Sequence, residues 1–174
     1  MIKDGIGGAK TRVGLDFESR VDLLSMFAST PGYSVKDNYI FSNKKEVAVS
    51  IKKNNLYRFL EKHDVDYKSI ISKKLLPDEA LYIPGENKIF IIEIKFQEVA
   101  GSVDEKLQTC DFKKRQYQKL FKPLGMSVEY VYILSDWFKK DEYRDVLGYI
   151  TDVGCYYFFK TLPLDFLGLP IPEK

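Results

Sequence analysis

Apolar residues in this chain come in short runs separated by Gly, Pro and Asn, and their period changes along the sequence. Leu15, Val21, Leu24 and Phe27 or Ala28 recur near helical spacing and predict a first helix, stopped by Pro31-Gly32. Residues 33–41 and 46–51 read as strands around a turn at Asn43-Lys44-Lys45. Asn54 or Asn55 would cap a short helix carrying Leu56, Phe59 and Leu60. Residues 64–74 are polar and show no clear period. Strands follow near 75–83 and 88–97. Ser102 and Glu105 then make a capping box, which opens a helix to Lys122 with Leu107, Cys110, Tyr117, Leu120 and Phe121 as its buried stripe. Pro123 and Gly125 end that helix. Residues 128–134 form a strand, 141–150 a helix closed at Gly154, and 155–159 a last strand. The tail, 161–174, is too apolar to stay in solvent and should pack on this chain or on a partner. The Gly-rich start, 1–14, reads as an irregular arm.

A helix between residues 97 and 128 allows the strands it joins to lie parallel by crossover. The order therefore predicts one α/β (α+β) domain over residues 1–174, a mixed central sheet with helices on both faces.

The segment from Pro77 to Lys95 carries the chemistry. Residues 83–88, Ile-Pro-Gly-Glu-Asn-Lys, form a turn between two apolar runs, and Gly85 suits the positive φ of a tight hairpin. With Gly85 and Glu86 as the loop, Leu81 faces Phe90 and Asp78 faces Glu93. Facing residues share a side of the sheet about 5 Å apart. Alternation adds Lys95, with Ile89 and Ile91, to that side and sends Ile92, Ile94 and Phe96 to the other. A slip of one residue would separate the acids. A solvated edge hairpin with a Glu–Lys pair is the alternative, but the apolar run 89–92 argues for an interior strand. Two close carboxylates call for a cation between them. Asp78, Glu93 and a backbone carbonyl near Ile94 would suit Mg²⁺, with Lys95 beside a phosphate.

Composition narrows the partners. Of the 174 residues, 45% are hydrophobic, enough for a sizeable core, and the net charge is only +2, so nucleic-acid binding must come from local clusters. The helix after the hairpin supplies one, with Lys106, Lys113, Lys114 and Arg115 as candidate DNA contacts alongside Gln108. Lys106 and Gln108 are expected nearest the strand ends, with Lys106 supporting the phosphate. Cys110 and Cys155 read as reduced buried thiols in a cytoplasmic protein. No signal peptide or membrane span is expected. His63 lacks neighbours at metal-ligand spacing, and Trp137 reads as a core plug or interface anchor. The stretch 5–11 lacks a phosphate loop's glycine before its lysine.

Pro77-Asp78 followed by Glu93-Ile94-Lys95, in this order of elements, resembles the PD-(D/E)XK nuclease superfamily and its type II restriction endonucleases. The resemblance covers roughly residues 14–135. It implies a restriction-endonuclease-like core and Mg²⁺-dependent hydrolysis of double-stranded DNA, with Mn²⁺ as a substitute, leaving 5′-phosphate and 3′-hydroxyl ends. It adds Glu18 on the first helix to the site and extends the motif to Gln97. One or two metal ions remain open. A double-strand break would need a homodimer or a partner subunit. Loops at 36–45, 52–58 and 137–144 are candidates for base reading. A repair or junction-resolving nuclease, or a non-catalytic DNA-binding subunit of the same fold, are the alternative functions.

Overall fold

The computed structural model describes residues 14–17, 22–98 and 103–172. Among them, seven strands form one mixed sheet in the order β2-β3-β4-β5-β6-β7-β8. The strands are β2 (Tyr33–Lys36), β3 (Tyr39–Ser42), β4 (Lys45–Ser50), β5 (Glu79–Ile83), β6 (Lys88–Lys95), β7 (Ser127–Leu134) and β8 (Tyr156–Phe159). From β2 to β6 each neighbour is antiparallel, while β6–β7 and β7–β8 are parallel. The crossover between β6 and β7 is made by α4 (Val103–Leu107) and α5 (Cys110–Phe121), and that between β7 and β8 by α6 (Arg144–Asp152). This is the expected mixed sheet flanked by helices.

Two cores lie on its faces. One packs Ile89, Ile91, Tyr130 and Tyr132 against Leu56 and Tyr57 of α2 (Asn55–Lys62), Tyr67 of α3 (Tyr67–Ile70), and Tyr117, Leu120 and Phe121 of α5. The other packs Leu81, Phe90, Ile92, Val131 and Ile133 against Leu23 and Phe27 of α1 (Leu23–Ser29) and Leu164, Leu167 and Leu169 of the tail. The tail thus packs on this chain. Its first residues, β9 (Thr161–Pro163), pair antiparallel with β1 (Gly14–Asp16).

Several boundaries differ from the sequence reading, each for a local reason. Leu15 lies in β1, not in a helix; α1 starts only at Leu23, where Asp22 accepts the Leu24 and Ser25 N–H groups. The stretch 33–41 is two strands, because Asp37 turns the chain with φ 56°. The long helix after the hairpin is broken. The Thr109 hydroxyl and the Tyr132 hydroxyl both donate to the Lys106 carbonyl, so α4 ends before α5 begins. The Ser102 capping box lies outside the described residues. In the hairpin, Pro84–Glu86 form a 3-10 turn, and the left-handed residue is Asn87 (φ 48°), not Gly85. The Asn87 side chain also donates to the Gly125 carbonyl, which ties the turn to the start of β7.

Candidate active site

The hairpin register is the one the alternation demands. Leu81 pairs with Phe90 and Glu79 with Ile92, so one further step sets Asp78 across from Glu93. Asp78 precedes β5 and extends the ladder with its side chain, whose Oδ2 accepts the Ile94 N–H at 2.9 Å. Because β6 is interior to the sheet, Glu93 is only 5% exposed.

Three oxygens converge on the Lys95 ammonium: Glu93 Oε2 at 2.8 Å, Asp78 Oδ2 at 3.2 Å and the Ile94 carbonyl at 3.3 Å. Burial works against the charge on Lys95, but Glu93 and then Asp78 outweigh it and hold its pKa above the usual lysine value. A fourth group comes from the helix layer. Lys113 Nζ on α5 lies 3.8 Å from Glu93 Oε2. Beneath the carboxylates Tyr117, Tyr130 and Tyr132 form a dry floor, and burial, reinforced by the charge of Glu93, pushes all three phenols up.

Among the described residues no three His, Cys, Asp or Glu side chains gather to hold an ion. The donor set still fits Mg²⁺, because its third oxygen is the Ile94 carbonyl and the common point already holds a cationic group. Two carboxylates and one carbonyl leave positions for water and for a phosphate.

The remaining candidates are spread more widely. Glu18 lies outside the described residues. Gln97 is buried past the end of β6, where its N–H donates to Ser135 Oγ and its carbonyl accepts from the Ser135 hydroxyl. Lys106 is exposed on α4. Gln108 is at the break between helices, where it lines a 450 Å³ hollow with Asp145, Val146 and Tyr149. Arg115 is exposed and pairs with Asp111 at 2.9 Å. Lys114, a candidate DNA contact in the sequence reading, donates to the Gly154 carbonyl beyond α6 and pairs with Glu129. Of this basic segment it is Lys113, not Lys106, that meets the carboxylates.

One ionic group was missed by sequence reasoning. Glu79, next to Asp78, points to the opposite face. Its Oε1 accepts the Leu23 N–H at 3.4 Å and lies 3.6 Å from Lys52, which also pairs with Asp22 at 3.1 Å. Its Oε2 is buried without a hydrogen-bond partner. Strict alternation after Asp78 was the signal that could have found it.

His63 caps α2 with Nδ1 2.8 Å from the Phe59 carbonyl, and Trp137 donates to the Tyr143 hydroxyl at 2.8 Å. Both thiols are free and buried. No described helix is long and apolar enough to cross a membrane. Compared with protein-family models, curated proteins and solved structures, the chain gives no match in any of the three.

Proposed function

We propose that this chain is a Mg²⁺-dependent endonuclease of double-stranded DNA, with Mn²⁺ as a substitute, of the type II restriction kind that its motif resembles. One observation carries the reading: oxygens of Asp78, Glu93 and Ile94 converge on a single cationic point at the end of a central hairpin. An ion held there would supply Lewis-acid polarisation of a phosphoryl oxygen and a more acidic water.

The chain's own residues do the rest. The Ile94 N–H fixes Asp78 before substrate arrives. An ion held by those oxygens would take the place of the Lys95 ammonium, which would stay tethered one residue away on the strand. From there its ammonium orients the attacking water or neutralises charge growing on the phosphate. The tyrosine floor keeps water from the underside of Glu93, which strengthens every interaction above it. Hydrolysis in line needs no covalent enzyme intermediate. One site cuts one strand, so a double-strand break requires a second copy or a partner subunit.

The test is a digest of plasmid DNA with Mg²⁺ and with EDTA. Discrete fragments with 5′-phosphate ends, absent with EDTA and absent for Glu93→Gln, are expected. Cutting of branched or mismatched DNA alone would transfer the chain to repair. No cutting by the folded chain with either Mg²⁺ or Mn²⁺ would leave a non-catalytic DNA-binding role.

A further inference from the structure

The site contains one ammonium more than the reading above employs. Lys113 reaches Glu93 from the helix layer, with its side chain 26% exposed. Its support is rigid. Lys114, the next residue, is anchored to Gly154 and Glu129, and Tyr117, one turn on, is buried. Lys113 is therefore presented from a fixed element, unlike a lysine on a free surface.

Charge counting separates the two lysines. Asp78 and Glu93 against Lys95 and Lys113 make the cluster formally neutral. Lys95 and a divalent ion would claim the same three oxygens, so they exclude one another there. Lys113 meets only one of the three, the Glu93 Oε2, from the helix layer, so an ion taking the place of Lys95 would not have to displace it. At 3.8 Å its contact with Glu93 is loose, which leaves ammonium donors for another oxygen. With an ion bound, the cluster would carry a formal charge of +2 toward a substrate that gains negative charge as it reacts.

Building on the nuclease reading, we propose that Lys113 is a catalytic residue: it holds a non-bridging oxygen of the scissile phosphate, and by like-charge repulsion it keeps divalent-ion binding weaker than the carboxylates alone would make it.

The test uses the full chain and Mn²⁺ as the probe. Mn²⁺ affinity is measured by calorimetry without DNA, DNA affinity in Ca²⁺ over a salt series, and cleavage at saturating DNA. Lys113→Met should bind Mn²⁺ about three- to tenfold more tightly, since a like charge has gone. It should cut about 10²-fold more slowly, and its log–log salt slope should be shallower by about 0.9. Lys113→Arg should recover part of the rate. Lys119→Met, exposed on the same helix, should match wild type in rate and in Mn²⁺ affinity. A purely structural role would weaken Mn²⁺ binding and rate together. Unchanged or weaker Mn²⁺ binding in Lys113→Met, or a rate within about twofold of wild type, overturns the inference and leaves the nuclease reading standing. If wild type cuts no DNA while Lys113→Met still tightens Mn²⁺ binding, the nuclease reading falls and the repulsion of the ion by Lys113 stands.

Discussion

Asp78 and Glu79 are adjacent in sequence, yet they serve two ionic clusters on opposite faces of one hairpin. On the Asp78 face, two carboxylates and a carbonyl surround a largely buried lysine at 2.8 to 3.3 Å. On the Glu79 face, Lys52 joins Asp22 and Glu79 at 3.1 and 3.6 Å and is about one-third exposed, while Glu79 Oε2 has no partner. The first arrangement concentrates oxygens on one point, as a cation site needs. The second fastens the start of α1 to the sheet. Each sets two acids around one central lysine, so composition at that centre cannot separate them; convergence and saturation of the acceptors can.

Replacement on the Asp78 face gives the largest expected effect. Asp78→Asn, Glu93→Gln or Lys95→Ala should each lower cleavage by about 10³-fold or more, equivalent to about 4 kcal/mol of activation free energy. Each should keep a cooperative melt by circular dichroism. Activity within about tenfold of wild type in all three would erase the contrast between the faces.

Glu79→Leu should act on stability and leave cleavage within a few-fold of wild type. Burial, partly offset by Lys52, raises the Glu79 pKa. The folded state therefore binds the proton more readily than the unfolded chain. The resulting stabilisation is complete below the unfolded carboxyl pKa and is lost as pH rises through the raised folded value. Glu79→Leu also strips the Leu23 N–H and Lys52 of their acceptor, so it should cost about 1–3 kcal/mol at pH 4, and less at pH 8, in urea titrations. A cost that grows toward alkaline pH would reverse the assignment.

Asp22 gives the opposite sign. The Ser25 hydroxyl, and with it Lys52, holds the Asp22 carboxyl down to about 2 from an ordinary 3.8. Its contribution is present above the ordinary value and lost as pH falls toward the lowered one. Asp22→Ala should cost about 1 kcal/mol at pH 7, mainly through the lost cap of α1, and less near pH 2. Equal loss at both pH values would show that the charge is irrelevant there.

Lys114→Met is the smallest of the four. It removes the donor to the Gly154 carbonyl and should lower stability by about 0.5 kcal/mol, without changing the salt slope of DNA binding. A slope change would return Lys114 to the set of DNA contacts.

Much of the sheet and of the acid pair was readable in advance because period-two alternation and a short turn determine a register together. That is why Asp78, Glu93 and Lys95 share a face and why Ile89 and Ile91 lie beneath them. The turn itself was misread at one residue, since positive φ moved to Asn87, where the side chain also bonds Gly125. Pairings far apart in sequence were not readable. Leu15 has helical company in the sequence but a strand partner at Leu162. The break at Gln108-Thr109 depends on a tyrosine more than twenty residues later. Lys113 and Lys114 look alike in the sequence, and only the phase of α5 against β6 and β8 sends one to Glu93 and the other to Gly154.

The late residues Leu162, Leu164, Leu167 and Leu169 are all buried behind the strand that bears Glu93. During synthesis that half of the interior stays open until Leu169 has left the ribosome, and β1 waits for β9 for the same reason. Emerging chains would therefore hold the hairpin without its backing, and the cluster of charges would lack that support until residues 162–169 have emerged.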